Sequence, residues 1–304
     1  MKPSNESDRG ELEPDAPRGA RPVLRGRDAG DSTPLPGTMD QRYKHLLIEQ
    51  QGSVLRVTLN RPEVRNAFNP LMIAEVTAVF SQVEAGGEVR AAVLSGAGES
   101  FCAGADLTWM RAMAAYTREE NVADAVRLAA MLEAVEGCDV PVVARVHGAA
   151  LGGGAGLVAA CDVVVSSSDT LFGFTEARLG IAPAVIAPFV LRKIGPGHAR
   201  ALFVTGARFD AGRAERIGLA HRVTDRAGLD DAVRDALTAI LSCGPAAVRA
   251  CKELVAEVPG LSREAARAYT AETIATLRAS PEGQEGMRAF LEKRKPSFVR
   301  QNVP

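Results

Sequence analysis

From His45 onward the apolar and polar positions resolve into short alternating elements. Leu46 to Glu49 and Val54 to Leu59 read as two strands joined around Gln51-Gly52, a hairpin in which Gly52 supplies the positive φ. A helix follows. Asn69 suits its N-cap, Pro70 its first position, and Leu71, Val76, Val79, Phe80 and Val83 its buried stripe, ending before Gly86-Gly87. Apolar strands are then predicted at Ala91 to Leu94 and Val140 to Val146, followed by a glycine-rich turn and a helix through Leu157. Further strands are predicted at Asp162 to Ser166 and Leu171 to Phe174. Strand alternating with helix argues for an α/β fold with both sheet faces covered. Beyond about Gly228 the strands stop, and 229–242, 245–256, 262–279 and 281–293 read as helices started by Pro245, Ser262 and the Ser280-Pro281 pair.

Three regions are therefore expected: a tail over 1–40, a core over 41–228 and a helical segment over 229–304. The tail is rich in Pro, Gly, Arg, Asp, Glu and Ser and lacks the apolar side chains that would offset the entropy of ordering, so disorder is expected there. Met39, just before the first periodic segment, is a second candidate start of translation. The whole chain of 304 residues is 46% hydrophobic, enough for a large core. Its net charge of -1 gives no general attraction to nucleic acid or anionic membrane. Five cysteines without a CxxC pair suggest neither zinc nor a disulfide framework. No apolar run reaches the ~18–20 residues of a membrane span, and no signal-peptide segment is recognisable. A reducing cytoplasm is the expected location.

Candidate chemistry gathers in three segments. These are Phe101-Cys102-Ala103-Gly104-Ala105-Asp106-Leu107, Gly148-Ala149-Ala150-Leu151-Gly152-Gly153-Gly154, and Phe172-Gly173-Phe174-Thr175-Glu176 leading to Leu179-Gly180-Ile181-Ala182-Pro183. Each follows an apolar strand. Small residues there let a ligand approach the backbone, and a glycine run opening a helix presents unpaired N–H groups at the positive end of its dipole. The run from Gly152 to Gly156 lacks both the Gly-Lys-Ser/Thr of a P-loop and the spacing of a dinucleotide fingerprint.

In order and spacing these segments, with Asn60-Arg61-Pro62, Asn66-Ala67 and Cys161-Asp162, resemble the enoyl-CoA hydratase/isomerase (crotonase) superfamily from about Tyr43 to the C-terminus. The resemblance implies a spiral of ββα units with a C-terminal all-helical segment that packs on a neighbouring subunit, as a trimer or hexamer. It implies an acyl-CoA substrate whose thioester oxygen is held by the backbone N–H groups of Cys102 and Gly153. Arg65 and Ala67 then lie near the CoA phosphates and adenine, Ala103, Gly104 and Ala105 line the pantetheine and acyl path, and Gly152 belongs to the same site. No further cofactor is implied, and without a lysine-rich helix no nucleic-acid partner is expected.

Hydratases of this superfamily carry two glutamates. The first position here is Gly156, and the second is Glu176, the expected general base. One carboxylate suffices either for syn addition of water or for moving a double bond, so hydratase and Δ3-Δ2 isomerase both stay open. The segments 105–110, 152–162, 175–180 and 183–188 resemble most the bacterial methylglutaconyl-CoA and isohexenylglutaconyl-CoA hydratase branch, which implies a 3-methyl-branched glutaconyl substrate from leucine or acyclic-terpene breakdown. Ala184 keeps an N–H expected to hold a water, while Pro188 lacks one. Trp109, Met110 and Met113 are candidate walls of the acyl pocket, and Arg111 and Arg178 candidate partners of a distal carboxylate. His147 reads as a satisfied core histidine.

Overall fold

A computed structural model of the chain describes residues 42–84 and 86–300; the expected tail over 1–40 lies outside them. The predicted hairpin forms as β1 (Leu46–Gln51) and β2 (Val54–Leu59), antiparallel with Gln51 opposite Val54 and Gly52 at φ 57°. Asn69 Oδ1 accepts from Met72 N at 2.8 Å and so caps α1 (Pro70–Gln82), whose buried face is Met72, Ile73, Val76, Val79 and Phe80. Leu71, predicted in that stripe, is instead exposed in the first turn of the helix.

The chain continues through β3 (Ala91–Gly96), α2 (Leu107–Met113), α3 (Arg118–Glu136), β4 (Val142–Val146), β5 (Ala149–Leu151), α4 (Gly153–Ala160), β6 (Val163–Ser167) and β7 (Leu171–Gly173). After a 3-10 turn at Glu176–Leu179 come α5 (Ala187–Thr205), β8 (Arg208–Asp210), α6 (Ala211–Arg216) and β9 (Arg222–Thr224). A six-stranded sheet runs β1-β2-β3-β4-β6-β9, parallel from β2 on; a three-stranded sheet runs β5-β7-β8. Short runs of Val and Ala dominate the parallel strands, as expected where both faces are covered.

The helices α7 (Leu229–Leu241), α8 (Pro245–Glu257), α9 (Arg263–Ala279) and α10 (Pro281–Leu291) fall within a few residues of their predicted positions. Leu229, Val233, Leu237 and Leu241 bury α7 against Val54, Val93, Val143 and Val165 of the large sheet. The other three helices bury little: among their side chains only Ala250 and Ala289 are fully covered, while Val255, Phe290 and Leu291 are at least 78% exposed. Among the described residues no helix is long and apolar enough to cross a membrane.

Candidate active site

Two loops meet through backbone ladders at the ends of the strands. Cys102 bridges Ala150 in parallel: its amide donates to Ala149 O at 2.9 Å and its carbonyl accepts from Leu151 N at 3.0 Å. The neighbouring Ala103 amide donates to Arg65 O, and Phe68 clamps the other side, its N–H donating to Gly104 O at 2.7 Å and its C=O accepting from Asp106 N at 2.8 Å. Side chains lock the arrangement. Asp106 accepts from Arg61 Nη2 at 2.7 Å and from Thr108 N, capping α2, while Asn66 donates to the carbonyls of Ala97 and Ser100.

This ladder corrects one expected role. The Cys102 amide, predicted to face a thioester, is spent on Ala149, because residue 102 sits in a strand-like bridge whose N–H points at its neighbour. Gly104 and Ala105 are the members of that loop whose amides have no partner among the described residues, and that of Ala105 faces away from Phe68. The Gly104 carbonyl points at Phe68 N, and across a trans peptide the following N–H points the opposite way. Gly153 opens α4, so its amide too is without a backbone partner and carries the positive end of the helix dipole. The loops are in contact: a Cβ on Gly104 would stand 3.1 Å from Leu151 O, and one on Gly153 would stand 3.2 Å from the Phe68 ring. The signal that could have pointed to residue 105 was Gly104, whose φ of 99° turns the chain out of its ladder. The Cys102 thiol is buried and pushed up to about 12 by desolvation, so it stays protonated and is no nucleophile.

Glu176 begins the 3-10 turn after β7 and reaches back to this junction. Its Oε1 would lie 3.4 Å from a Cβ on Gly152, whose φ of 52° and lack of a side chain leave the approach open. Its Oε2 is buried with no hydrogen-bond partner, and burial raises its pKa, opposed only by a bond to its own backbone. A buried acceptor without a partner is uncommon in a folded chain and marks a place for a donor from outside it.

The place of a second carboxylate is filled. Gly156 lies buried in α4, and a Cβ there would stand 2.7 Å from Ile186 Cβ and closer still to its Cγ2. Ile186 is 2% exposed and belongs to the main core, so an apolar side chain takes the space a glutamate at 156 would need. Gly156→Glu is expected to destabilise the fold by about 1–3 kcal/mol of overpacking, with a further cost for a buried unpaired carboxylate. Thermal unfolding measures the loss, and Gly156→Glu/Ile186→Ala is expected to recover the overpacking part of it.

The other candidate residues take varied positions. The Ala184 amide, expected to hold a water, donates to Ala182 O at 2.8 Å, because 182–187 turns tightly into α5. Arg178 donates through Nε to Gly206 O at 2.7 Å, and Arg111 is exposed on α2. Arg65 is exposed and Ala67 buried on the loop beside residue 103. His147 is buried between Gly98 O and Arg145, and desolvation lowers its pKa, which is the neutral core histidine expected. Among the described residues no group of three His, Cys, Asp or Glu could hold a metal.

Residues 49–301 match the Enoyl-CoA hydratase/isomerase family. A short-chain-enoyl-CoA hydratase of Clostridium acetobutylicum is 34% identical, covering 83% of this chain and 96% of that protein. A mevalonyl-coenzyme A hydratase of Aspergillus fumigatus is 36% identical over 81% of this chain and 91% of its own length. Among solved structures, Pseudomonas aeruginosa AtuE superposes with a TM-score of 0.82 at 39% identity, covering 84% of this chain and all of that one (100%).

Proposed function

Because the chain belongs to the enoyl-CoA hydratase/isomerase family, with its crotonase fold, we propose that it hydrates a short, 3-methyl-branched 2-enoyl-CoA of the glutaconyl type. The observation that carries the proposal is the Glu176 carboxylate beside Gly152, its Oε2 buried and unpartnered, next to the free amide of Gly153 and the loop bearing that of Ala105. The thioester oxygen accepts from these two amides. Glu176 takes a proton from water as the water oxygen bonds to C3, and the π electrons move toward the thioester oxygen as an enolate. The same carboxylate returns a proton to C2, closing the balance as net addition of water. The amides stabilise charge only as it develops, which is where they accelerate the step. Arg65 and Ala67 hold the CoA nucleotide, while Ala103 and Gly104 border the pantetheine path; no cofactor besides the CoA of the substrate takes part.

The branch at C3 is supported by the chemistry in one relative's name: a mevalonyl thioester is 3-hydroxy-3-methyl, so the enoyl group it forms from is branched at C3. A Δ3-Δ2 isomerase is the second reading, for which the single carboxylate is equally sufficient, since Ile186 stands where another would be. Crotonyl-CoA, 3-methylglutaconyl-CoA and a 3-enoyl-CoA, followed by loss of conjugated absorbance and by deuterium uptake, decide between them. Water added to the branched substrate is the expected outcome; double-bond migration without hydration would assign the isomerase.

A pH profile follows from the same assay. Glu176 acts as its carboxylate, and burial favours the protonated form, so activity is lost on acidification at a higher pH than for a free glutamate of pKa about 4.3. The acid limb of kcat/KM is expected above that value; a limb at or below it would remove Glu176 as the base. The exposed Val255, Phe290 and Leu291 fit packing against a second copy in a trimer or hexamer, which light scattering measures.

A further inference from the structure

Among the described residues two buried side-chain polar atoms have no hydrogen-bond partner. One is Glu176 Oε2, already placed beside the reacting carbons. The other is Trp109 Nε1, on a residue only 7% exposed. An indole N–H is a donor and nothing else, so the missing partner must be an acceptor. Leaving such a donor buried and unpaired is costly, which folded chains avoid unless the group serves another purpose.

The position of Trp109 in the fold says where that acceptor comes from. It lies in the first turn of α2, and its own amide is 3.4 Å from Asp106 Oδ1, the cap that follows directly on Ala105. Trp109 packs at the edge of α2 in the main apolar core, and because side chains on a helix lean toward its N-terminus, its ring is directed to the Ala105 end of α2 rather than the far end.

We propose that the Trp109 indole N–H recognises an oxygen acceptor on the acyl chain, so that the preferred substrates are 2-enoyl-CoA thioesters bearing a second oxygen function, a carboxylate or a hydroxyl, beyond the double bond. This deepens the hydratase reading and rests on it for the position of the thioester. Trp109 selects among acyl groups and takes no part in proton transfer.

The test compares three substrates matched in their C3 branch: 3-methylglutaconyl-CoA with a carboxylate, 5-hydroxy-3-methylpent-2-enoyl-CoA with a hydroxyl, and 3-methylcrotonyl-CoA with neither. Trp109→Phe keeps an aromatic ring and removes the N–H. It is expected to lower kcat/KM about 10- to 100-fold on one or both oxygen-bearing substrates, leaving 3-methylcrotonyl-CoA nearly unchanged. The arm that falls identifies the acceptor. Equal losses on all three, or none on any, overturn the proposal, since a purely structural indole would not discriminate. The chain has a single tryptophan, so global replacement by benzothienylalanine exchanges only this N–H for sulfur and tests the same point if Trp109→Phe fails to fold. If no branched substrate is hydrated, the function reading fails separately, and tryptophan emission still answers for Trp109. A shift to longer wavelength with glutaryl-CoA and not with butyryl-CoA is expected, and identical spectra with the two overturn the proposal.

Discussion

Glu176→Gln is expected to lower kcat for hydration about 10²- to 10⁴-fold, the range a positioned general acid–base contributes. The amide is nearly isosteric, and Oε2 has no hydrogen bond to lose, so folding stability should hold or rise as a buried ionisable group becomes neutral. That combination separates catalysis from structure: kcat falls, KM stays within a few-fold and thermal unfolding does not move down. With Gly156 closed off by Ile186, no second carboxylate stands in α4 to take over. A variant that kept its rate would show that the protons travel by another route.

The second large effect concerns a main-chain amide, which side-chain substitution leaves in place. Nonsense suppression with lactic acid at position 105 converts the N–H into an ester oxygen while preserving the methyl group. As the Ala105 amide has no partner among the described residues, its removal is expected to cost little stability but about 10²- to 10³-fold in rate, the loss associated with one oxyanion donor. The matching ester at position 102 is the control. It deletes a ladder bond to Ala149, so it should cost roughly 0.5–1.5 kcal/mol of stability and much less in rate. The opposite ranking would return the donor role to residue 102.

Where one element's own residues dictate its geometry, the sequence was enough. The hairpin at Gly52, the Asn69 cap and the four C-terminal helices, three of them with Pro or Ser starts, were all legible, as each depends on residues within a turn or two. By contrast the helical segment α5 was not predicted; it consists of two helical stretches separated by a kink at Gly195, whose φ of 73° and ψ of 161° are not helical. The candidate site divides the same way. Glu176 and the glycine run were marked by local composition and resemblance, and the carboxylate does lie beside Gly152. Which amides of 101–106 are free was not legible, because it depends on pairing with 149–151 on one side and 65–68 on the other. Ile186 filling the space beside Gly156 is a contact across 30 positions of chain, and the orphaned Trp109 donor is a property of the packed interior; neither leaves a mark in a linear pattern.

A crystal structure of the protein with butyryl-CoA, a saturated thioester that it cannot hydrate, places the reacting atoms directly. The expected result is a thioester oxygen within hydrogen-bond distance, about 2.7–3.2 Å, of both Ala105 N and Gly153 N, with the Glu176 carboxylate over C2 and C3. A thioester oxygen bound elsewhere, or Glu176 turned away from the acyl carbons, would contradict the proposed mechanism at its centre.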